Sequence, residues 1–451
     1  MPSLLLFGLP SCFALMIEKL WELESFDLVK HEVILKNQSV RMMFLSSLTS
    51  SESITSIIQG FLMSEDQIPL CFFNGSSSLI EQYDKAEFLL LSGQCLVFLE
   101  DKVYALETRN YPNRGIEHPN VEKSIRGSHD SFTENILLNT GLIRRRIRTS
   151  NLIIEISQEG KMTRNDLAIC YIKGKADPDL LQDLKNRLKN NTTIEINNER
   201  NLVEVLYGKT MNPYPHVRYT ERPDICAIHL MQGSIILLVD NMPCCMILPS
   251  TFFEQLQQIE EYTQTPFVAF FTRLIRLSGV FISVYLLPFI VLCMMTNRPM
   301  IHEITSFTQW QFIAFQIFIC EILIEWVRQS FLYAPNLINA MMGFLVVFVL
   351  GDFGIELGAY TKEILLLVAL SNLGNFLTPS YEIALANKLM RMILTLLTLL
   401  FHTFGFALGV LFHFFLLLHT NIMKHCYLYP YIPFDLKEMK RLMFDTNIYT
   451  K

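Results

Sequence analysis

The stretch from Trp310 to Gln329 constrains this chain most, because it is long enough to span a bilayer yet contains three charged residues. Glu321, Glu325 and Arg328 are spaced i, i+4 and i+7, so on a helix they share one face about 60° wide. A charge near the centre of a bilayer costs at least about 2.5 kcal/mol on insertion scales. We therefore expect this face to meet other helices or a water-filled cavity rather than lipid.

Two interpretations of these charges remain open. In the first, Glu325 and Arg328 form a structural ion pair that locks a helix bundle. In the second, Glu321 lines a path for water and ions, since it lies a full turn deeper and has no cation at helical spacing within its own segment. The second interpretation predicts an acidic face suited to cations.

Charge and hydropathy divide the 451 residues into two parts. Charges are frequent up to about residue 266, whereas at least four stretches beyond it are almost purely apolar. The predicted fold is a two-lobed α/β soluble N-terminal region followed by a multi-span α-helical membrane domain. The expected boundaries are a leader at 1–24 that is not a cleaved signal, lobe 1 at 25–110, lobe 2 at 111–266, the membrane domain at 267–420 and a basic cytoplasmic tail at 421–451.

Local patterns predict individual elements within the two lobes. We expect helices at 51–63, 132–148 and 177–189, the second one beginning with a capping box of Ser131 and Glu134. We expect strands at 88–91 and 226–231, and a hairpin at 95–109 that turns at Asp101-Lys102. The basic run from Arg144 to Arg148 is interpreted as a helix surface that faces solvent or lipid headgroups.

The third apolar stretch, 337–357, combines glycines with acidic residues. Gly354 and Gly358, with Gly351 nearby, predict a face of small residues where two helices approach closely. Asp352 and Glu356 are spaced i, i+4, and form either a second acidic ring or a pair at the far membrane interface.

The last apolar run, 388–420, is too long for one comfortable span and too short for two full ones. Gly405 and Gly409 lie at its middle, so two short or tilted segments, or a re-entrant hairpin, are favoured over one long helix. Either arrangement returns the basic tail to the cytoplasm. The run also contains His402, His413 and His419, for which a helix-packing or interfacial role is favoured over metal binding or proton relay.

Composition and motifs argue against several classes of function. The net charge of −6 and the pI near 6.0 argue against a nucleic-acid partner, which needs a basic face. The ten cysteines include no C-x-x-C pair, so no metal site is predicted. The sequence has no nucleophile with a recognisable base, so we predict neither an enzyme nor a cofactor.

One octapeptide, VRYTERPD at Val217–Asp224, carries a family resemblance. It contains Arg218, Tyr219, Thr220, Glu221, Arg222, Pro223 and Asp224. Other blocks follow it in the same order as in the family, among them Glu261-Tyr262, Glu321–Glu325, Pro379–Tyr381, Ala386–Lys388 and Pro430–Phe434. Together these blocks closely resemble the A-subunit family of the GerA-type spore germination receptors, from about residue 25 to about residue 435.

The resemblance implies a protein of the spore inner membrane with a large cytoplasmic N-terminal domain. It also implies a homo-oligomeric ring in membrane lipid that conducts ions, alongside other germination membrane proteins, and that acts in or amplifies ion release. Two alternatives remain from the residues themselves. One is a secondary transporter with helices broken at Pro288 or Gly405. The other is a membrane scaffold whose intramembrane charges are purely structural.

Overall fold

The structure is a computed structural model that describes residues 17–34, 39–63, 77–80, 82–99, 102–111, 128–190, 195–196, 198–258, 261, 264–296, 307–332, 351–420, 422–423 and 426–444. The chain forms two compact units. The first contains Met1–Thr210, Val217–Ser250 and Asn447–Lys451, and the second contains Met211–His216 and Thr251–Thr446. The second unit therefore begins before the first apolar stretch and includes a short segment from within lobe 2.

Lobe 1 of the first unit is an antiparallel sheet with helices on both faces. Its strands β1 (Leu28–Ile34), β2 (Ser39–Leu45), β3 (Ser77–Ile80), β4 (Cys95–Leu99) and β5 (Lys102–Leu106) are ordered β1-β2-β4-β5-β3. Its helices are α1 (Ser51–Met63) and α2 (Tyr83–Leu91). Alternate residues of each strand point to opposite faces, so Met43 and Leu96 pack in a cluster with α2, whereas Met42 and Val97 pack with α1.

The local predictions for lobe 1 are partly confirmed. Helix α1 has the predicted bounds, and β4 and β5 pair as the predicted hairpin. The predicted turn is wrong at Lys102, which is the first residue of β5 and pairs with Leu99. The strand predicted at 88–91 is wrong, since these residues end helix α2. A short apolar run fits a buried helix as well as a strand, and here the buried residues are Ala86, Leu90 and Leu91, the first two spaced i, i+4.

Lobe 2 contains a second antiparallel sheet. Its strands β6 (Leu152–Glu159), β7 (Asn165–Ile172), β8 (Arg218–Thr220), β9 (Ile235–Val239) and β10 (Cys245–Leu248) are ordered β6-β7-β9-β10-β8. Its helices are α3 (Ile136–Arg146), α4 (Pro178–Lys189), α5 (Glu199–Tyr207) and α6 (Pro223–Gln232). Helices α3 and α6 pack against the central strands β7 and β9.

Two predictions for lobe 2 are wrong in instructive ways. The strand expected at 226–231 is helix α6, which begins at Pro223 and ends before Gly233, a left-handed residue with φ of 100°. Helix α3 begins after Asn135 rather than Ser131, because the Asn135 side chain accepts hydrogen bonds from the backbone N–H groups of Leu137 and Leu138.

The basic run was predicted to be exposed, but Arg144 is buried. Its Nη2 donates to Oδ1 of Asp27 at 2.9 Å, and its Nη1 donates to the carbonyl of Leu152 at 2.9 Å. Burial alone would raise the pKa of the Asp27 carboxyl, but the Arg144 guanidinium and the hydroxyls of Ser25 and Ser47 hold that pKa below its ordinary value. This ion pair joins the segment that enters β1 to helix α3, and so links the two lobes.

The second unit is helical. It contains α7 (Phe252–Gln255), α8 (Pro266–Phe281), α9 (Leu287–Met295), α10 (Phe307–Leu332), α11 (Lys362–Phe376), α12 (Tyr381–His419) and α13 (Leu436–Phe444). A π-helical turn, Ile282–Leu286, joins α8 to α9. Pro288 lies in the first turn of α9 and has no N–H to offer the turn before it, which accounts for the interruption.

Helix α12 is divided at His402, whose φ of 53° and ψ of −132° are not helical. A Cβ placed on Gly409 would lie 2.9 Å from Cγ of Leu394. In an unbroken helix these two positions would be about 22 Å apart. The run therefore folds back as two antiparallel arms, 381–401 and 403–419, whose lengths are about 31 and 26 Å at 1.5 Å per residue.

The contacts also fix the directions of the other helices. Gly279 of α8 lies against Leu377, while Val291 of α9 shares a cluster with Ile364 of α11, so α8–α9 and α11 are antiparallel. Glu325 and Glu321 of α10 bind Lys388 and Arg391 of α12 in reverse order. We define the basal end of the bundle as the end where α8 and α12 begin and α10 ends, and the distal end as the opposite one.

Two helical stretches of the described chain are long and apolar enough to cross a bilayer: Pro266–Met295 and Tyr381–His419. Helix α11 has only 15 residues, and α10 has 26 residues but contains three charges. The larger number of spans predicted from the sequence therefore remains a proposal. Most of the third predicted span, 337–357, lies outside the described residues, which resume at residue 351.

Candidate functional site: a buried charge cluster

The candidate site is a cluster of five charged residues, Glu321, Glu325, Arg328, Lys388 and Arg391, which we call the charge cluster. Glu321 is 1% exposed and Arg391 is fully buried. Nη2 of Arg391 donates to Oε2 of Glu321 at 2.8 Å, and Nζ of Lys388 lies 3.5 Å from the same oxygen. In the single chain, therefore, Glu321 is held by two cations of α12 and does not face open water.

Glu325 connects the core of the cluster to the basal end. Its carboxylate accepts hydrogen bonds from Nη2 of Arg328 at 2.8 Å and from Nζ of Lys388 at 2.9 Å. The Arg328 guanidinium also lies 5.0 Å from the ring centre of Tyr381. The ion pair that the sequence suggested between Glu325 and Arg328 is therefore present, but it shares its carboxylate with a second helix.

Polar groups of two further helices complete the surroundings of Arg391. Its Nη2 donates to Oδ1 of Asn372 in α11 at 2.9 Å, and its Nη1 donates to the carbonyl of Ser283 at 2.8 Å. Ser283 lies in the π-helical turn before Pro288. The break in that helix therefore lies beside the most buried cation of the cluster.

Several buried polar atoms around the cluster have no hydrogen-bond partner among the described residues. They are Oε1 of Glu321, Nε of Arg391, Nε of Arg328, Oγ of Ser371 and both amide atoms of Asn375. Buried polar groups in proteins are nearly always paired with protein or ordered water. The cluster also has three cations for two carboxylates, so its own side chains satisfy neither its charge nor its hydrogen bonds.

The acidic residues and glycines of the third predicted span lie elsewhere. Asp352 and Glu356 are exposed in the helical stretch 351–356, which precedes the distal start of α11. Gly358 follows this helix with φ of 68°, and a Cβ on Gly351 would meet nothing within 4 Å. A Cβ on Gly354 would meet the ring of Tyr360, so this glycine admits a neighbouring side chain.

Gly405 and Gly409 lie on the inner side of the α12 hairpin. A Cβ on Gly405 would meet the carbonyl of Leu397 in the other arm. His413 lies deeper between the helices, where Nε2 is 2.7 Å from Tyr214 Oη and Nδ1 is 2.6 Å from Tyr285 Oη. These contacts are of the helix-packing kind.

The octapeptide residues form a hydrogen-bonded structural block in lobe 2. Arg222 is fully buried. Its Nη2 donates hydrogen bonds to Oδ2 of Asp224 at 2.7 Å and to the carbonyl of Ser128 at 2.9 Å. Pro223 is the first residue of α6. Arg218, Tyr219 and Thr220 form strand β8, and the backbone carbonyl of Glu221 accepts a hydrogen bond from Phe132.

Arg218 places a charge beside a buried imidazole. Its Nη1 lies 3.3 Å from Nε2 of His229, and both side chains are buried. Burial, together with the positive charge of Arg218, lowers the pKa of His229 to about 3. Across the described residues, no group of three or more His, Cys, Asp or Glu side chains is placed to hold a metal ion.

A comparison with protein families covers almost the whole chain. The model of the Bacillus/Clostridium GerA spore germination protein family matches residues 16–451. This chain belongs to that family.

Individual members of the GerA family resemble the chain over most of its length. Stage V sporulation protein AF of Bacillus subtilis is 31% identical over 94% of this chain and 89% of its own length. Spore germination protein KA of the same organism is 26% identical over 91% of this chain and 76% of its own length. A crystal structure of the N-terminal domain of the A subunit of the Bacillus megaterium spore germinant receptor GerK3 is 24% identical, covers 53% of this chain and 93% of that one, and has a TM-score of 0.40.

Sequence reasoning missed the two cations that hold Glu321. Lys388 was noted only as part of a family block, and Arg391 was not singled out. The sequence does contain a signal for this contact. Lys388 and Arg391 are spaced i, i+3 at the start of one apolar run. Glu321 and Glu325 are spaced i, i+4 within another apolar run. Two pairs of opposite charge in two apolar stretches predict a contact between the stretches.

Proposed function

We propose that this GerA-family chain is a subunit of an oligomeric ion channel in the spore inner membrane, where it acts in or amplifies ion release during germination. The observation that carries the proposal is the charge cluster. Two carboxylates lie inside a bundle whose outer helix faces expose large apolar side chains such as Phe271, Leu400 and Leu411. Charges at bilayer depth are characteristic of ion pathways.

The distribution of charge supports an orientation with the basal end toward the cytoplasm. Arg273, Arg276 and Arg328 lie toward that end, as the positive-inside rule requires of a cytoplasmic face. The two arms of α12 then cross in opposite directions, and the tail from residue 422 returns to the cytoplasmic side. The α/β lobes precede α8 and are assigned to the same side.

The unsatisfied atoms of the cluster support conduction over a purely structural role. A lock made only for stability is expected to satisfy its buried polar groups, since each one left unpaired costs about 1–3 kcal/mol. Here Glu321, Arg328 and Arg391 each retain an atom that has no partner among the described residues. Water entering the bundle, or ions passing when α12 moves relative to α10, would give these atoms partners.

The relatives support the biological setting of the proposal. Their names describe spore germination proteins and a stage V sporulation protein. We therefore expect other germination membrane proteins as partners. A channel with a symmetry axis also requires further copies of this chain.

The proposal is tested by cation flux through the full-length protein reconstituted in lipid vesicles. Glu321→Gln removes the deepest carboxylate and is expected to change the flux or its cation selectivity. Glu52→Gln, which changes an exposed carboxylate on α1 in the first unit, is the matched control and is expected to leave both unchanged. Unchanged conductance and selectivity in Glu321→Gln would remove the cluster from the pathway.

The mass of the purified protein in detergent provides an independent test. A channel of this kind is expected to be an oligomer with a symmetry axis, and a stable monomer would contradict the proposal.

A membrane scaffold is the second candidate, and the 1% exposure of Glu321 favours it. In that case the five charges only hold α10 against α12. Loss of folding in Glu325→Ala, together with unaltered flux in folded variants of the other cluster residues, would favour the scaffold.

A further inference from the structure

We propose that α13 and the turn before it form a binding surface for anionic phospholipid at the basal end of the bundle. This inference rests on the membrane placement proposed above. Its first support is the position of α13, because Nη1 of Arg273 donates to the carbonyl of Leu442. The helix is thereby fixed beside the first turns of α8.

The part of α8 beside α13 exposes large apolar side chains. Phe267, Phe271 and Leu274 are 78%, 54% and 48% exposed, and all lie within two turns of Arg273. Exposed side chains of this size on a membrane helix face acyl chains or the interface. Helix α13 therefore lies where the hydrocarbon region meets the headgroups.

The pattern of α13 matches such a position. At about 100° per residue, Leu436, Met439, Leu442 and Met443 lie within an arc of about 120°. Lys437, Lys440 and Arg441 lie within a separate arc of about 100° and are exposed. An apolar face beside a basic face is the signature of helices that lie in the plane of an anionic membrane surface.

The turn before α13 adds apolar contact area and is fixed by hydrogen bonds to Asp435. Asp435 Oδ1 accepts hydrogen bonds from the backbone of Lys437 at 2.9 Å and of Glu438 at 3.2 Å, and Asp435 Oδ2 accepts one from Tyr429 Oη at 3.1 Å. The turn nevertheless leaves Phe434 67% exposed and Leu436 50% exposed. Aromatic and aliphatic side chains beside exposed cations fit the junction of acyl chains and phosphates.

Charge selects the class of lipid. Helix α13 contains three cations and one carboxylate, Glu438, and the turn before it adds the carboxylate of Asp435, so the surface has a net charge of +1, whereas the whole chain has a net charge of −6. The exposed pair between Arg441 and Glu438 at 3.2 Å contributes little on its own. A phospholipid with a net negative headgroup is therefore expected to bind in preference to a zwitterionic one.

The surface is tested on the full-length protein in a neutral detergent. Phosphatidylglycerol and phosphatidylcholine are titrated separately, and bound lipid is counted by native mass spectrometry. Wild type is expected to retain phosphatidylglycerol preferentially, and less so at high salt. Each basic residue near an anionic surface contributes about fivefold in affinity, so the variant Lys437→Gln/Lys440→Gln/Arg441→Gln is expected to bind on the order of 100-fold more weakly.

The matched control changes the same net charge in the first unit. Lys161→Gln/Lys173→Gln/Lys189→Gln alters three exposed lysines outside the bundle and is expected to bind lipid as wild type does. Equal retention of the two lipids, or undiminished phosphatidylglycerol binding by the α13 variant, would overturn the proposal. So would complete competition by inorganic phosphate, which would assign the surface to a free anion. No arm of this experiment depends on ion flux, so failure of the channel proposal would not be mistaken for failure here.

Discussion

The pair between Glu321 and Arg391 provides the sharpest prediction, because its two members lie on different helices and are almost completely buried. At 2.8 Å and an effective dielectric constant of about 20, their gross attraction is about 6 kcal/mol. Removing one partner leaves a buried charge uncompensated, which typically costs about 3–5 kcal/mol. Glu321→Gln and Arg391→Gln are each expected to fall in that range.

The double variant Glu321→Gln/Arg391→Gln is expected to be markedly less destabilised than the sum of the two single variants. Removing both charges together leaves neither one uncompensated, so the coupling energy should be at least about 2 kcal/mol. Lys388, at 3.5 Å from Glu321, still compensates that carboxylate when Arg391 is lost, so Arg391→Gln is expected to be the milder of the two single variants.

The assay is unfolding of the protein in a mild detergent to which a denaturing detergent is added in steps. Unfolding is followed by tryptophan fluorescence, to which Trp326 contributes; this residue lies next to Glu325 on α10 and is 66% exposed. Glu356→Gln is the control, and as an exposed change it should stay within about 0.5 kcal/mol of wild type. Single-variant costs below about 1 kcal/mol, or strict additivity in the double variant, would refute the inference that these charges form a tight buried pair.

Three further predictions concern other parts of the chain. Arg144→Met should cost about 3–5 kcal/mol by leaving Asp27 buried and unpaired, so amides of β6 should exchange on the order of 100-fold faster or more in the full-length protein. Because the folded-state pKa of Asp27 lies below its ordinary 3.8, the pair stabilises the fold above that pH and loses its effect as the pH falls through the lowered pKa. The pKa of His229 is about 3 in the folded chain and 6.5 in the unfolded chain, so between these pH values only the unfolded chain binds the proton. The free energy of unfolding should therefore fall by about 1.4 kcal/mol for each pH unit below 6.5. His229→Gln should flatten this slope in melting curves. Gly374→Ala should lower the melting temperature through about 1–3 kcal/mol of overpacking, because its Cβ would meet the carbonyl of Gly279.

Each of these three has a control in the same chain. Arg148→Met changes an exposed arginine just beyond α3, and should leave β6 exchange unaltered. His31→Gln changes an exposed histidine, and a flattened pH slope in this variant would show that His229 is not responsible. Gly60→Ala adds a Cβ that meets nothing within 4 Å inside helix α1, and should be neutral or stabilising.

Periodicity predicted the elements whose hydrophobic pattern is unambiguous. Helix α1 has the predicted bounds, and strands β4 and β5 pair as the predicted hairpin. The pattern was insufficient at 88–91 and 226–231, where short apolar runs are helical because they pack against a sheet. Burial of a continuous apolar run is compatible with either element, and the neighbouring layer decides between them.

At the candidate site, too, the local pattern predicted some features and contacts between distant residues decided the others. The sequence indicated that Glu321 and Glu325 share a helix face that avoids lipid, and both carboxylates do lie inside the bundle against other helices. The opposite charge of Lys388 and Arg391 in another apolar stretch was compatible with a contact to that face, but the pairing was not assigned, since these residues lie more than sixty residues further along the chain. Arg144 was misjudged for the same reason, because its partner Asp27 is 117 residues away.

The sequence by itself determined that this chain has a charged α/β part and an apolar helical part, and that charges in the apolar part must be shielded from lipid. These conclusions depend on local composition and on the energy of a charge in hydrocarbon, which every arrangement of the helices has to respect. Only the tertiary structure decided which cations shield which carboxylates, and at which residue, His402, the last apolar run is divided. Both are set by contacts between residues distant in the chain, whose geometry exists only once the helices have packed.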